Sequence, residues 1–370
     1  MTDASQPAET LADIGEDGLL ERIFPELPRG SRTILGPGDD AAIVSADDGR
    51  VVVSTDVLVE GRHFRRDWSS GADVGWRAAM QNLADIAAMG AWPTSLVVAL
   101  VLPPSLPVEW VVDFARGLHE ACEPYGVGVV GGDLSAGDAV VVTVTVHGDL
   151  GGRAPVLRSG ARPGDVVALA GVAGRSAAGH AVLAAGPIPG AGAIGRALAD
   201  AVEAYRRPKP PLAAGLLASD GGATAMLDVS DGLLRDAGRL ARASGVVIDL
   251  DDVARAFGSD LAALAPVAEA LAQVAGAPVA DAVEWVLTGG EDHGLLATFP
   301  AGVPLPAGFR PIGMVRAIGT DGAGADRTGT YGAGADGAGA DRGFADRAGV
   351  LVEGAPPRVV GAGWDHFAGR

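Results

Sequence analysis

Two adjacent carboxylates follow a glycine-rich turn near the start of the chain. Gly36, Pro37 and Gly38 favour a tight turn, and Asp39 and Asp40 come directly after it. The pair fits a solvated turn. It also fits a site for a hard cation, because Mg²⁺ prefers oxygen ligands and often joins carboxylates to phosphate. This turn by itself leaves both interpretations open.

Acidic residues recur along the chain at predicted strand ends, in turns and on one predicted helix. No His–Cys pairing accompanies them, so zinc is not expected. Carboxylates suit Mg²⁺, and several carboxylates would hold several ions, which could neutralise a polyphosphate and stabilise a transferring phosphoryl group. The residues are Asp39, Asp40, Asp56, Asp85, Asp133, Asp228, Asp231 and Glu291.

The composition restricts the class of protein. A net charge of −18 disfavours nucleic acid and anionic membranes as partners. Lys209 is the only lysine, which excludes a P-loop, because the lysine of that loop contacts nucleotide phosphates. The single cysteine, Cys122, excludes an internal disulfide, and its helical setting predicts a buried thiol. With no secretory signal and no long apolar run, we expect a cytoplasmic protein.

Alternating strands and helices must position the acids of the first 150 residues. Residues 51–54 read as a strand that ends at Ser-Thr-Asp, and residues 127–130 as a strand that ends at Gly-Gly-Asp. Residues 73–89 read as a helix that Asp73 could cap. Asp85 on this helix fits either an exposed face or a metal site. Ligands usually bind at strand ends in α/β folds.

A second unit begins near residue 151. The small-residue loop 171–179 opens a helix, and it could be a phosphate cradle or simply a tight turn. The basic segment 205–211 reads as a stiff linker. Asp228 and Asp231 lie three residues apart at a strand-to-helix turn, and Asp231 could partly cap that helix.

Two segments are not expected to contribute to a packed core. Residues 1–12 read as a disordered tail. Residues 318–348 repeat Gly-Ala-Gly-Ala-Asp three times, and this composition predicts a disordered or loosely looped insert. A Ca²⁺-binding β-roll is disfavoured, because its repeat needs an apolar position that is missing here.

The motifs taken together resemble the thiamine-monophosphate kinase family of the aminoimidazole-ribonucleotide synthetase-like ATP-binding superfamily. The resemblance implies a two-domain α/β (α+β) fold, with an N-terminal domain of mixed sheet over 13–150 and a C-terminal α/β sandwich domain over 151–370. It also implies a homodimer formed through the N-terminal domains. The matching motifs run in order over about residues 30–367: GPGDDAAI, STDVLVEGRHF, NLADIAAMGA, GGD, LRSGARPGD, LDVSDGL, GGEDH and GWDHF.

This resemblance implies an activity: the Mg²⁺-assisted, direct transfer of the ATP γ-phosphoryl group to thiamine monophosphate, as the last step of thiamine diphosphate synthesis. Trp364 stands where many relatives have Tyr, which keeps an aromatic face for a cationic thiazolium. The implied metal ligands are Asp40, Ser54, Thr55, Asp56, Asp85, Asp133, Asp228 and Asp231. The implied ATP contacts are Gly132, Asp133, Arg158 and Ser230, and the implied substrate contacts are His63, Glu291 and Trp364.

Rival functions are less consistent with the sequence. Selenophosphate synthetase relatives have a reactive N-terminal Cys or selenocysteine and a nearby lysine, and hydrogenase-maturation relatives end in a reactive Cys, while this chain has neither feature. The GGEDH and GWDHF motifs argue against the purine-pathway ligases. A non-catalytic, acidic metal-binding protein would bind divalent ions without ATP, and a thermal-shift experiment with ATP and Mg²⁺ would separate it from the kinase.

Overall fold

The computed structural model describes residues 9–37, 41–274, 281–319, 348–359 and 363–364, with only the backbone at Asp17. The chain divides into two compact units. One unit comprises Met1–Pro155 with Val202–Leu216, and the other comprises Val156–Ala201 with Leu217–Arg370. Asp39, Asp40 and most of the predicted 318–348 insert lie outside the described residues.

The first unit is built on a mixed four-stranded sheet with the strand order β3-β6-β4-β5. Strands β4 and β5 pair in parallel, and the other neighbours pair antiparallel, while β1 and β2 form a separate ribbon. The strands are β1 Thr33–Leu35, β2 Ile43–Val44, β3 Val52–Val59, β4 Trp92–Leu102, β5 Gly128–Ala136 and β6 Val141–Asp149.

Three helices accompany this sheet: α1 Leu11–Ile23, α2 Gly71–Ala88 and α3 Val108–Cys122. Helix α2 packs on the sheet and against α3, and its apolar side chains are almost fully buried. The prediction that Asp73 caps α2 is wrong. Ser70 is the cap, and its hydroxyl accepts from the Asp73 N–H while the Asp73 carboxylate accepts from the Ser70 N–H, because a capping box joins positions three residues apart.

Two strands are longer than the sequence predicts, which moves the acids that they carry. Strand β3 continues to Val59, so residues 54–56 lie in its middle. Strand β5 continues to Ala136, so the Gly-Gly-Asp motif lies inside it. Glycine and aspartate disfavour strands locally, but pairing with neighbouring strands outweighs that preference.

The second unit is built on a six-stranded sheet with the order β12-β9-β11-β7-β10-β8, in which only β12 and β9 pair in parallel. Its strands are β7 Val166–Ala170, β8 Ala225–Val229, β9 Val247–Leu250, β10 Gly294–Phe299, β11 Phe309–Arg316 and β12 Gly349–Val352. The remaining helices are α4 Arg175–Ala185, α5 Gly192–Arg206, α6 Leu212–Asp220, α7 Leu233–Ser244, α8 Val253–Ala256, α9 Gly258–Ala272 and α10 Ala282–Thr288. The predicted two-domain α/β class is confirmed.

The basic segment 205–211 is not a free linker. The Arg206 Nε donates to the Trp68 carbonyl at 2.5 Å, and Arg207 forms ion pairs with Asp73 at 2.8 Å and Glu120 at 2.7 Å. The Pro208 carbonyl accepts from the Trp76 indole at 2.8 Å. The segment is therefore docked on the first unit through specific polar contacts.

Two further predictions concern burial and membranes. Cys122 is fully buried, as predicted, and burial raises the pKa of its thiol to about 12, so it is not nucleophilic at neutral pH. In the described part of the chain, no helix is long and apolar enough to cross a bilayer.

Candidate active site

Strand β3 and helix α2 bring a hydroxyl and a carboxylate together in the first unit. Ser54 Oγ donates to Asp85 Oδ2 at 2.6 Å. Asp56 lies two residues along the same strand, so its side chain leaves the same face of the sheet as Ser54. The hydroxyl of Ser54 and the carboxylates of Asp56 on β3 and Asp85 on α2 all carry oxygen atoms, which are the ligands that Mg²⁺ prefers.

Thr55, a third predicted ligand on this strand, faces the other way. Its Oγ1 donates to the Val144 carbonyl at 2.9 Å and lies 3.1 Å from the Thr145 hydroxyl. Successive side chains alternate across a strand, so Thr55 cannot share the face of Ser54 and Asp56 once the strand passes through all three residues.

Asp133 lies at the opposite edge of the same sheet. The register places Asp56 in one row with Val144, Val98 and Gly132, and Asp133 belongs to the next row. Three strand spacings separate β3 from β5, or about 14 Å, and adjacent rows point to opposite faces. One ion cannot contact both Asp56 and Asp133 of the same chain.

A mainly apolar cavity of about 230 Å³ borders the Gly-Gly-Asp segment. Helices α1 and α3 contribute Leu20, Phe114 and Leu118 to its lining, and strand β5 contributes Gly132 and Asp133. Its apolar walls beside exposed backbone fit a flat, weakly polar group better than a phosphate.

His63 lies in the turn after β3, where its backbone and its ring contact the same residue. The His63 N–H donates to the Val59 carbonyl at 3.0 Å, and the Val59 N–H donates to His63 Nδ1 at 2.9 Å. A ring nitrogen that accepts a hydrogen bond carries no proton, so the proton of the neutral imidazole is on Nε2. The N–H of the ring is therefore at Nε2, and an N–H is the type of group that binds an anionic oxygen.

In the second unit, Asp228 is almost fully buried one residue before the end of strand β8. Its Oδ2 lies 3.1 Å from Nδ1 of His293, a residue with a positive φ of 53° in the neighbouring turn. His293 Nε2 in turn lies 3.9 Å from Glu291 Oε2. The imidazole thus lies between a predicted metal ligand and a predicted substrate contact.

Asp231 does not cap helix α7. Gly232 occupies the cap position, and the carboxylate of Asp236 accepts from the N–H groups of Ser230 at 3.0 Å and Asp231 at 2.9 Å. Asp231 instead pairs with Arg239 at 2.6 Å, and Arg239 also contacts Asp236 at 2.5 Å. Burial raises the pKa of the Asp236 carboxyl to about 6, although the Asp231 N–H and Arg239 lower it.

Glu291 and Trp364 meet the Ser230–Asp231 turn through their backbones. The Glu291 N–H donates to the Ser230 carbonyl, and the Trp364 N–H to the Asp231 carbonyl, both at 2.8 Å. The residues before them must be glycine, because a Cβ at Gly290 or Gly363 would overlap these same carbonyl groups. The structure therefore gathers Ser230, Asp231, Glu291 and Trp364 at one turn.

Arg158 lies away from this turn. Its carbonyl accepts from Ser244 Oγ at 3.0 Å, and the carbonyl of the preceding residue accepts from the Met226 N–H at 2.9 Å. Met226 is near the start of β8, about 13 Å of strand from Ser230. The exposed side chain of Arg158 would have to reach along strand β8 to contact the same ligand as Ser230.

The loop before helix α4 is a structural turn and not a phosphate cradle. The buried Asp292 carboxylate accepts from the N–H groups of Gly174 at 2.6 Å, Arg175 at 3.1 Å and Ser176 at 2.8 Å. These are the donors that a phosphate at the helix N-terminus would use. Burial raises the pKa of Asp292 to about 7, and the three N–H groups oppose that rise.

No group of three or more His, Cys, Asp or Glu side chains that could hold a metal occurs among the residues that the structure describes. Asp40, the predicted ligand in the glycine-rich turn, lies outside them. The predicted ligands that the structure describes occur instead in small groups of one or two carboxylates each. That distribution fits Mg²⁺, which commonly binds one or two carboxylates and completes its shell with phosphate and water.

Sequence reasoning missed Asp236, Arg239 and His293, all of which contact predicted ligands. The spacing of Asp236 and Arg239, three residues apart at the start of a helix, is a signal for an ion pair. No local signal identifies the partner of His293, because Asp228 is 65 residues away.

Comparisons with known proteins identify the family of the chain. The model of the AIR synthase related protein N-terminal domain matches residues 38–150, and that of the C-terminal domain matches residues 162–298. The chain is 47% identical over 309 residues to thiamine-monophosphate kinase of Mycobacterium tuberculosis, covering 83% of this chain and 86% of the relative. It is 40% identical over 316 residues to that of Corynebacterium glutamicum, covering 85% and 89%.

Solved structures show the same likeness. The AaThiL structure complexed with AMPPCP and TMP superposes with a TM-score of 0.69 at 30% identity, covering 98% of this chain and 100% of that chain. The sequence resemblance is thereby confirmed over nearly the whole length. The chain belongs to the thiamine-monophosphate kinase family.

Proposed function

We propose that this protein phosphorylates thiamine monophosphate to thiamine diphosphate with ATP. The observation that carries the proposal is the 47% identity to a thiamine-monophosphate kinase over most of both chains. The turn where the backbones of Glu291 and Trp364 meet those of Ser230 and Asp231 supports it, because carboxylate and aromatic side chains are the types that suit metal-bound phosphate and a cationic heterocycle.

Mg²⁺ would be held by the small carboxylate groups together with the phosphates of the substrates. In the first unit the ligands would come from Ser54, Asp56 and Asp85, and in the second from Asp228 and Asp231. Bound Mg²⁺ would supply positive charge to the phosphoryl group during its transfer. Transfer of the γ-phosphoryl group directly to the substrate phosphate, without a phospho-enzyme, is what the family resemblance implies.

The residues of the chain would bind and orient the two substrates. The cavity beside Gly132 and Asp133 would take the adenine, since its walls are apolar and the neighbouring strand offers backbone groups for the phosphates. Arg158 and Ser230 would contact other parts of ATP. His63 would donate from Nε2 to a phosphate oxygen, while Trp364 and Glu291 would contact the thiazolium.

Two further features belong to the proposal. The open face of the four-stranded sheet exposes Val53 and Val57 of β3, which are 57% and 45% accessible, and Val51 just before the strand is 51% accessible. Such an apolar face is typical of a surface that pairs with a second copy, so we infer a homodimer formed through the first unit. The reaction would take place in the cytoplasm, where ATP is available.

The direct experiment is to incubate the purified protein with thiamine monophosphate, ATP and MgCl₂ and to detect thiamine diphosphate by chromatography. We expect stoichiometric formation of thiamine diphosphate and ADP, and none when MgCl₂ is replaced by EDTA. Formation of ADP and free phosphate without thiamine diphosphate would contradict the proposed acceptor.

A further inference from the structure

We propose that Arg77 and Tyr205 are positioning residues for His63, and that they set the affinity for the phosphorylated acceptor without contacting it. Arg77 Nη1 donates to the His63 carbonyl at 3.1 Å, and the Tyr205 hydroxyl donates to the same carbonyl at 3.4 Å. The inference rests on the proposed function, in which His63 contacts the acceptor's phosphate.

The two side chains also contact each other. The Arg77 guanidinium lies 4.6 Å from the centroid of the Tyr205 ring, a cation–π geometry. Arg77 is 2% exposed and Tyr205 is 5% exposed. A buried guanidinium costs free energy unless polar groups compensate it, so its position is strongly restrained by the ring and the carbonyl.

The held carbonyl fixes the ring of His63 because the turn has little remaining freedom. The His63 N–H and Nδ1 both bond Val59, and the following residue, Phe64, is 1% exposed and stacks on Trp110 with ring centroids 6.5 Å apart. With the N–H, Nδ1 and carbonyl of His63 all hydrogen-bonded, the imidazole ring keeps one direction. A side chain that is already held in its bound conformation increases the affinity for a ligand, because little conformational entropy is lost on binding.

Tyr205 comes from a distant part of the chain. It is anchored by its own neighbours, since Arg206 bonds the Trp68 carbonyl and Tyr205 packs edge-to-face on Trp68 with centroids 6.2 Å apart. The basic segment 205–211 therefore does more than connect elements, because it contains Tyr205, whose ring packs against Arg77.

The test compares Arg77→Gln, Tyr205→Ala and a matched control, Arg116→Gln, which removes a 43%-exposed arginine of α3. Steady-state kinetics would measure KM for thiamine monophosphate and for ATP. We expect the first two variants to raise KM for thiamine monophosphate about tenfold with KM for ATP within about twofold, while Arg116→Gln changes neither. Arg77→Lys, which keeps a donor, should recover part of the affinity.

Hydrogen–deuterium exchange of the full-length protein gives a readout that does not depend on activity. Peptides over residues 59–64 should exchange faster in Arg77→Gln and Tyr205→Ala, while peptides of strand β4 keep their wild-type rates. In a His63→Ala background, Arg77→Gln should raise KM no further. Unchanged exchange at 59–64, equal acceleration everywhere, or additive effects on KM would overturn the positioning role. A wild-type protein that forms no thiamine diphosphate would instead refute the proposed function, and the exchange data would still decide whether the His63 turn is held.

Discussion

At the residue scale, the availability of a carboxylate for chemistry depends on the donors that already contact it. Asp292 accepts three backbone N–H groups and Asp236 accepts two, so both are engaged in holding turns. Asp85 meets a hydroxyl, which can itself coordinate a cation. Residue type alone does not separate these cases, because all three are aspartates near a predicted turn or helix.

Asp56→Asn should reduce kcat about a hundredfold or more while leaving the melting temperature within a few degrees. The change removes one negative charge from the face shared with Ser54 and Asp85, and losing a group that stabilises transition-state charge typically costs this much. Kinetics at saturating MgCl₂ would measure it. Asp138→Asn, the same change at an exposed loop position, is the matched control. Near-normal turnover in Asp56→Asn would contradict a metal-binding role.

Trp364→Ala should raise KM for thiamine monophosphate about thirtyfold with little change in kcat, the equivalent of about 2 kcal/mol for a desolvated cation–π contact. Trp364→Tyr should be mild, because the aromatic face remains. The alternative role is a plug that anchors this segment to Asp231. An unchanged KM together with a lower melting temperature in Trp364→Ala would show that the plug is correct.

At the element scale, two helix starts are held by buried carboxylates that accept backbone N–H groups. Helix α4 receives its N-terminal acceptor from Asp292, which follows α10, and the turn before α7 receives its acceptor from within α7 itself. These arrangements explain why the small-residue loop before α4 has no free donors for a phosphate. They also make the stability of each turn depend on a single buried carboxylate.

Asp292→Asn should lower the free energy of unfolding by about 1–3 kcal/mol, because an amide has one acceptor oxygen and places an N–H₂ group against backbone donors. Asp281→Asn is the matched control, since Asp281 caps α10 at an exposed position and accepts from one N–H group. Urea unfolding would measure both variants. Equal small effects would indicate that other groups satisfy the α4 terminus.

The same carboxylate predicts a pH dependence. Burial raises the pKa of Asp292 in the folded state to about 7, above its ordinary value in the unfolded chain. Between these two pKa values the folded state binds more of this proton than the unfolded state does. The contribution of Asp292 to the free energy of unfolding therefore falls as pH rises from about 4 to about 7. The difference in melting temperature between wild type and Asp292→Asn should decrease over that range; a difference that grows with pH would show that the three N–H groups outweigh burial.

At the scale of the whole molecule, sheet order decides which insertions the fold tolerates. Arg316 at the end of β11 and Gly349 at the start of β12 are both paired with Val247 of β9, on its two sides. Two strand spacings, about 10 Å, therefore separate the ends of the segment that joins these strands. A connection of a few residues is long enough to span this distance.

Deleting residues 320–346 should preserve folding and most of the activity. Five residues would remain between Arg316 and Gly349, and at about 3.3–3.6 Å each they span the required distance with ease. Solubility, cooperative thermal unfolding and turnover would be measured against the full chain. Aggregation or loss of a single cooperative transition would show that the repeats contribute to the packed structure.

Val53→Asp should convert the inferred dimer to a monomer, because it places a charge in the middle of an apolar sheet face. Sedimentation velocity would report the mass of each species. Val303→Asp is the matched control, since Val303 is also exposed, at 41%, but lies in the second unit. A wild-type protein that sediments as a monomer would contradict the proposed dimer.

The sequence by itself determined the class of chemistry, the α/β architecture and the family, because these follow from residue types, from local periodicity and from motifs that keep their order. GGEDH and LDVSDGL can be read without knowing what they touch. Tertiary structure alone decided that Ser54 meets Asp85, that Asp133 lies three strands from Asp56, that Asp292 occupies the α4 terminus and that Arg77 and Tyr205 hold His63. Each of these depends on strand length, register or sheet order, and those are set by pairing between segments far apart in the chain, which no local window of sequence contains.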